Sequence, residues 1–244
     1  MPGDADIAAL GSVLGDRSRA RMLMALGDGR ALPATVLAAE AGVAASTASG
    51  HLVRLVDAGL LAVTVQGRHR YYRLAGPQVG ELIETLARVT PAAPVRSLRE
   101  DTQAHALRHA RTCYDHLAGR LGVAVMRALI DGGAIAGGDG RHQLDGDGRD
   151  RLSARGHDVD YRLTERGAER LATLGVTAPP GAALRCCVDW SEQAHHLSGR
   201  VGRDLTERLL DLDWIRRAGR GRAVQLTDLG RRRLTADLGV AIPG

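Results

Sequence analysis

Residues 42–74, GVAASTASGHLVRLVDAGLLAVTVQGRHRYYRL, decide the fold, because turn, helix, short strand and Arg-rich hairpin follow in the order a winged helix-turn-helix requires. Leu52, Leu55, Val56 and Leu60 repeat at helical spacing, and Ser46, Thr47, Ser49, Gly50 and Arg54 take the other faces. One face packs; the other is free to enter a groove. Small hydroxyl residues near the start of such a helix let its backbone approach base edges, while Arg54 reaches phosphate or guanine. His51 has two readings, contact with the major groove or a lock against the neighbouring helix. Gly59 ends the helix, residues 60–65 read as a strand, and Gly67 turns the chain. Arg68, His69 and Arg70 then form a hairpin tip suited to a phosphate backbone or a minor groove.

Working outward, residues 34–41 form a short Ala-rich helix opened by Pro33 and closed by Gly42, which supplies the first helix of the pair. With it in place, the pattern Ser46-Thr47-Ala48-Ser49-Gly50-His51-Leu52, then Ala58-Gly59-Leu60-Leu61, then Gly67-Arg68 and Tyr71-Tyr72-Arg73-Leu74 resembles the ArsR/SmtB family of bacterial repressors. That resemblance covers the first third of the chain. It implies a repressor bound to double-stranded DNA as a homodimer, with the helices near residues 7–14 and 80–89 building the dimer interface. Two recognition helices would then meet a pseudo-palindromic site whose half-sites lie about one helical turn apart. Sensors of the family often bind metal through thiolates on the helix before the recognition helix; residues 32–41 and 80–89 hold no Cys or His, so that familiar arrangement is disfavoured.

Composition fits this reading. The 244 residues are 44% hydrophobic and 25% charged, which supports two small domains rather than a disordered chain. The net charge of +5 favours a polyanion partner, but every one of the 33 basic residues is Arg, so local clustering is the better guide. Residues 60–75 carry three Arg and no acid. No run of about 18 apolar residues and no signal-like N-terminus occur, so no membrane association and a cytoplasmic location are expected. Three cysteines make a disulfide framework improbable there.

The expected fold class is mainly α with small β-hairpins. Residues 1–89 make the winged helix-turn-helix and dimerisation domain, the Pro/Ala-containing residues 90–97 a linker, and residues 98–244 a C-terminal sensor or regulatory domain. The last part contains a repeat. His116-Leu-Ala-Gly-Arg-Leu-Gly122 recurs as His196-Leu-Ser-Gly-Arg-Val-Gly202, and residues 116–135 match residues 196–215 at eight of twenty positions. Leu163-Thr-Glu-Arg-Gly167 likewise recurs as Leu226-Thr-Asp-Leu-Gly230. Two degenerate winged-helix-like units, about 108–176 and 184–240, are expected, each an amphipathic helix, a strand pair, and a final helix capped by Thr. A Gly/Asp-rich insertion after Ala136 enlarges the turn of the first and lacks EF-hand ligand spacing. In the second, Arg216, Arg217, Arg220 and Arg222 form a basic hairpin, read as either a solvated turn or a flanking DNA contact.

Each unit offers one thiol and one imidazole. Cys113 with His116, and Cys187 with His196, would supply four ligands to a soft or borderline metal such as zinc if the units pack about a local two-fold axis. A thiol redox switch and simple buried cysteines, with Asp115 and Asp189 capping or pairing locally, are the alternatives. His105, His109, Cys113 and His116 also fit one helical face to within about 80°. On that helical reading Asp115 and His116 point about 100° apart, which argues against a Cys/His/Asp enzyme. The segments Ala110-Arg111-Thr112-Cys113-Tyr114-Asp115-His116 and Cys187-Val188-Asp189-Trp190-Ser191-Glu192 resemble a subset of ArsR-like regulators with a long C-terminal region; Gln193, Ala194 and His109 depart from its pattern. A DNA-binding regulator modulated by a metal, redox or small-molecule effector is therefore expected, against an effector-independent architectural DNA binder.

Overall fold

The computed structural model describes residues 4–27, 29–67, 69–90, 98–142, 160–218 and 222–243, with residues 98–101 and 103 given by backbone alone. The chain divides into two compact units, Met1–Thr85 and Leu86–Gly244.

The first unit opens with α1 (Ile7–Leu14) and α2 (Arg17–Ala25), each capped by the Asp before it: Asp6 accepts from Ala9 N, and Asp16 from the amides of Ser18 and Arg19. The buried Arg19 guanidinium donates to the carbonyls of Val13 and Ser12, satisfying oxygens at the C-terminal end of α1. After β1 (Leu32–Pro33) come α3 (Ala34–Ala41) and α4 (Ala45–Asp57). Gly42 closes α3 in the left-handed region at φ 70°, so only Gly42, Val43 and Ala44 separate the two helices. β2 (Leu61–Gln66) and β3 (His69–Leu74) form an antiparallel hairpin, and β1 adds to its β3 side. Leu23, Leu37, Leu52, Leu55 and Leu74 fill the core. The helix α5 (Pro77–Val89) follows, three residues longer at its start than residues 80–89 alone would give.

The second unit begins with α6 (Leu98–His109) and then runs one element order twice. First come β4 (Arg111–Cys113), β5 (His116–Ala118), α7 (Gly119–Asp131), β6 (Ile135–Ala136), β7 (Arg162–Leu163) and α8 (Glu165–Thr173); then β8 (Arg185–Val188), β9 (His195–Ser198), α9 (Gly199–Asp211), β10 (Ile215–Arg217), β11 (Val224–Leu226) and α10 (Asp228–Leu238). Thr164 and Thr227 cap the last helix of each run, accepting from Gly167 N and Gly230 N and donating to the carbonyls of Gly133 and Asp213. The two runs also pair with each other. Thr112 N donates to Arg222 O beside β11, and Leu163 N in β7 donates to Ala182 O ahead of β8. Leu121, Val125 and Leu129 of α7 share one core with Leu205 and Leu209 of α9, Trp214 and Leu234.

Two expectations need correction. The helix ending at His109 does not continue through Cys113 and His116; β4 and β5 form a hairpin in which Cys113 stands opposite His116. The cause is tertiary. Strand hydrogen bonds from Thr112 N to Arg222 O and from Val224 N to Ala110 O override the local helical spacing, and Tyr114 turns at φ 59°. The argument that Asp115 and His116 diverge on a helix falls with it, since Asp115 Oδ1 lies 3.0 Å from His116 Nδ1. In the basic hairpin, read as either a solvated turn or a flanking DNA contact, Arg222 is buried and Arg216 is paired with Asp213. Arg220 lies outside the described residues, as do Arg68, most of the Gly/Asp-rich insertion and the linker from residue 91.

Candidate DNA interface and buried Cys/His cluster

α4 buries Ala48, Leu52 and Leu55 and leaves Ser46, Thr47, Ser49, Gly50 and Arg54 exposed. The Ser49 hydroxyl donates to Ala45 O at 3.0 Å, which leaves its lone pairs to accept from a partner. Val53, 57% exposed, lies among these polar positions and is the one large apolar group on that face, suited to a thymine methyl. His51 is different. It is half-buried, and its Nδ1 lies 3.7 Å from Asp16 Oδ1, the carboxylate that caps α2, so the ring ties α4 to α2. At the wing, Gln66 stands opposite His69 and Val65 opposite Arg70, with both His69 and Arg70 exposed. No helix among the described residues is long and apolar enough to cross a membrane.

In the second unit, the two short hairpins bring four side chains together. Cys113 opposes His116 across β4 and β5, and Cys187 opposes His196 across β8 and β9. One ligand atom from each of the four residues lies within 4.8 Å of all the others. The His116 and His196 rings are 5.1 Å apart. Both rings are buried, and the Nε2 of each lacks a hydrogen-bond partner. Each Nδ1 faces a carboxylate two residues beyond the cysteine: Asp115 at 3.0 Å for His116 and Asp189 at 3.4 Å for His196. A recurring glycine makes this approach possible. A Cβ at Gly122 would stand 2.5 Å from Leu117 O and 3.6 Å from His196 Cβ; at Gly202 it would stand 2.6 Å from Leu197 O and 3.4 Å from His116 Cβ. The last glycine of each His-Leu-x-Gly-Arg-x-Gly motif thus seats the other copy's histidine.

Electrostatics polarises the cluster. Burial disfavours the charged form of His116, but Asp115 and Cys187 outweigh it and raise its pKa to about 9. Contact with Cys113 lowers the Cys187 thiol well below its ordinary value against the penalty of burial, with His116 and His196 adding to the effect. Burial pushes His196 down to about 4 despite the attraction of Asp189. The shifts thus favour the charged forms of Cys187 and His116 and the neutral form of His196. Asp189 itself is fully enclosed, and although burial opposes its charge, His196, Arg111, Gly119 N and Ser191 hold its pKa far below normal. Arg111 Nη2 forms an ion pair with Asp189 Oδ2 at 2.9 Å, with neither side chain exposed, and its guanidinium lies 4.5 Å over the Trp190 ring.

Arg111 and Trp190 were not among the candidate residues of the sequence. The available signal was the shared Cys-x-Asp spacing at Cys113/Asp115 and Cys187/Asp189, which placed an acid beside each thiol without showing that Asp189 takes its charge partner from across the repeat.

A family model described as a helix-turn-helix domain matches residues 14–64. Over 242 residues the chain is 37% identical to YdfF of Bacillus subtilis (strain 168), described as an uncharacterized HTH-type transcriptional regulator, covering 97% of this chain and 99% of that one. The chain belongs to the HTH-type transcriptional regulators. The regulator is also 38% identical over 92 residues to CmtR of Mycobacterium tuberculosis (strain ATCC 25618 / H37Rv), which is 36% of this chain and 77% of that one. Two solved structures are similar over part of it. The cadmium metal-sensor CmtR from M. tuberculosis is 35% identical over 38% of this chain and 99% of its own, at a TM-score of 0.30. The homodimeric winged helix-turn-helix domain of Mb0332 from Mycobacterium bovis, described as a possible ArsR-family regulator, is 25% identical over 40% and 100%, at 0.32.

Proposed function

We propose that this transcriptional regulator is a homodimeric repressor, with residues 1–89 binding the operator, residues 90–97 as linker, and residues 98–244 modulating operator affinity through the buried Cys/His cluster. The observation that carries the reading is the face of α4: small polar side chains and Arg54 stand exposed over a fully packed apolar face, next to a basic wing. Ser46, Thr47, Ser49, Gly50 and Arg54 approach bases in the major groove, His69 and Arg70 hold the backbone or minor groove together with Arg68, and His51 positions the helix from behind. An effector acts by changing the spacing of the two recognition helices, for which a coupling of about 1 to 3 kcal/mol suffices. A metal ion is the effector that the donor set favours over an organic molecule, since two thiols and two imidazoles converge within 4.8 Å and the Nε2 of each ring is buried without a hydrogen bond. The Cys187, His116 and Asp115 series serves regulation rather than turnover, because His116 is enclosed. Such a protein works inside the cell, where its operator is.

Fluorescence anisotropy on DNA from upstream of the protein's own gene, against scrambled DNA at one fixed salt and before and after thiol alkylation, tests this. Site-specific binding that alkylation shifts supports the reading. Equal affinity for both DNAs with a steep salt dependence would instead mark an architectural DNA binder.

A further inference from the structure

We infer that Cys113, His116, Cys187 and His196 form a closed, four-coordinate site for one divalent zinc-group ion, whose imidazole ligands are positioned by the carboxylates of Asp115 and Asp189, and which locks the two hairpins together. The donor atoms already lie within 4.8 Å of one another. A tetrahedral zinc site with two sulfur and two nitrogen ligands has edges of about 3.3–3.8 Å, so the longest separation closes by only about 1 Å on binding. Two features point to an ion rather than to a packed polar core. Both Nε2 atoms are buried without a hydrogen bond, an arrangement that a bare core avoids and that a ligand relieves. His116 Nδ1 is held by Asp115 at 3.0 Å and His196 Nδ1 lies 3.4 Å from Asp189 without a hydrogen bond, an arrangement that places a carboxylate behind each ring as a metal-binding imidazole requires.

Charge selects the valence. A divalent ion with two thiolates and two neutral imidazoles is neutral overall, which suits an enclosed site; a monovalent ion there would leave a buried negative charge beside Asp189, whose own charge Arg111 already balances. Four protein ligands leave no open position, so the ion does not catalyse. Its effect is mechanical. Cys113 lies on β4, which leads directly out of α6, and Arg111 Nη1 donates to Leu107 O in the last turn of that helix. Binding therefore fixes the end of α6, the element that follows the linker. This regulatory part rests on the operator binding proposed above; the site itself does not.

Titration of the reduced, metal-free full-length chain with Co²⁺, followed by displacement with Zn²⁺, tests the site. The expected result is one Co²⁺ per chain, with intense tetrahedral d–d bands, thiolate-to-cobalt charge transfer, and loss of both on adding Zn²⁺. Cys113→Ser and Cys187→Ser should abolish the charge-transfer signal of two thiolates, while Cys186→Ser, at the neighbouring buried thiol, should keep it. Asp115→Asn should keep the tetrahedral spectrum and weaken Co²⁺ affinity about 10–100-fold, whether or not the cysteine variants fold. No uptake by the wild type, an octahedral spectrum without sulfur charge transfer, or equal loss in Cys186→Ser would overturn the site. Anisotropy with and without Zn²⁺ reads the regulatory part separately. Operator affinity that Zn²⁺ does not change refutes the regulation while a tetrahedral spectrum upholds the site; absence of operator binding in both states refutes the DNA reading alone.

Discussion

Asp189→Ala should destabilise the second unit by about 3–5 kcal/mol, because it leaves the fully buried Arg111 guanidinium without its counter-charge. The carboxylate does more than neutralise. It accepts from Gly119 N at 2.7 Å, from Ser191 N at 2.9 Å and from the Ser191 hydroxyl at 2.8 Å, so truncation also strands backbone donors that each carry a penalty of about 1–3 kcal/mol. These losses overlap, and partial relaxation keeps the sum near the range for a broken buried pair. For a unit of this size, about 2–4 °C per kcal/mol gives a fall in thermal midpoint of roughly 6–20 °C. The protein's two tryptophans, Trp190 and Trp214, both belong to the second unit, so their fluorescence reports its melting alone. The measurement uses reduced, chelator-treated protein. The sign with pH follows from the depressed pKa of Asp189: its stabilisation is present above the unfolded value of about 3.9 and is lost as pH falls below it. The gap between wild type and variant should therefore narrow in acid. Arg111→Met combined with Asp189→Leu should recover the part due to the unpaired guanidinium, since an apolar pair removes both charges, while Gly119 N and Ser191 still lack their acceptor. A loss under about 1 kcal/mol in the single variant, or no recovery in the double, would show that the pair is not enclosed as the geometry has it.

Leu52→Ala, at a fully buried position on the packed face of α4, should lower the stability of the first unit by about 2–5 kcal/mol, read by urea unfolding; an effect below 1 kcal/mol would place that face elsewhere. Arg70→Ala should weaken binding to operator and scrambled DNA alike and reduce the salt slope by about one, whereas a loss confined to one base position would contradict a backbone role. His51→Ala should lower stability while leaving base preference unchanged, and a changed preference in a selection from random DNA would return His51 to the groove. Gly202→Ala should cost about 1–3 kcal/mol through overpacking against Leu197 O and displace His116 from the cluster, seen as altered Co²⁺ spectra; a variant with wild-type melting and spectra would deny the close approach.

The recognition helix and wing could be read from residues 42–74 because their signals are local: a helical apolar period, a glycine after each helix and a two-residue turn at Gly67. The hairpins of the second unit could not. Their strands are three or four residues long, too short for alternation to show, and β4 is held by hydrogen bonds to residues more than a hundred positions away. A helical spacing of His105, His109, Cys113 and His116 filled the gap by coincidence. The sequence did hold a sign against it: two residues separate Cys113 from His116, but eight separate Cys187 from His196. No helix face survives six extra residues between two positions, whereas a hairpin absorbs them in its loop and keeps the strand partners opposed. The convergence of the four side chains was available from the repeat alone, since a two-fold arrangement brings matching positions together.

Each hairpin contributes only half of the cluster, a single thiol and a single imidazole, and the other half lies on the same chain. A unit of this kind standing alone would need to meet a second copy, and its ligand would be held at a strength that rose and fell with protein concentration. Joined end to end, the two halves face each other at an effective concentration fixed by the fold, so occupancy depends on the free ligand and not on how much regulator the cell contains. A regulator built this way can keep one threshold across conditions in which its own level changes.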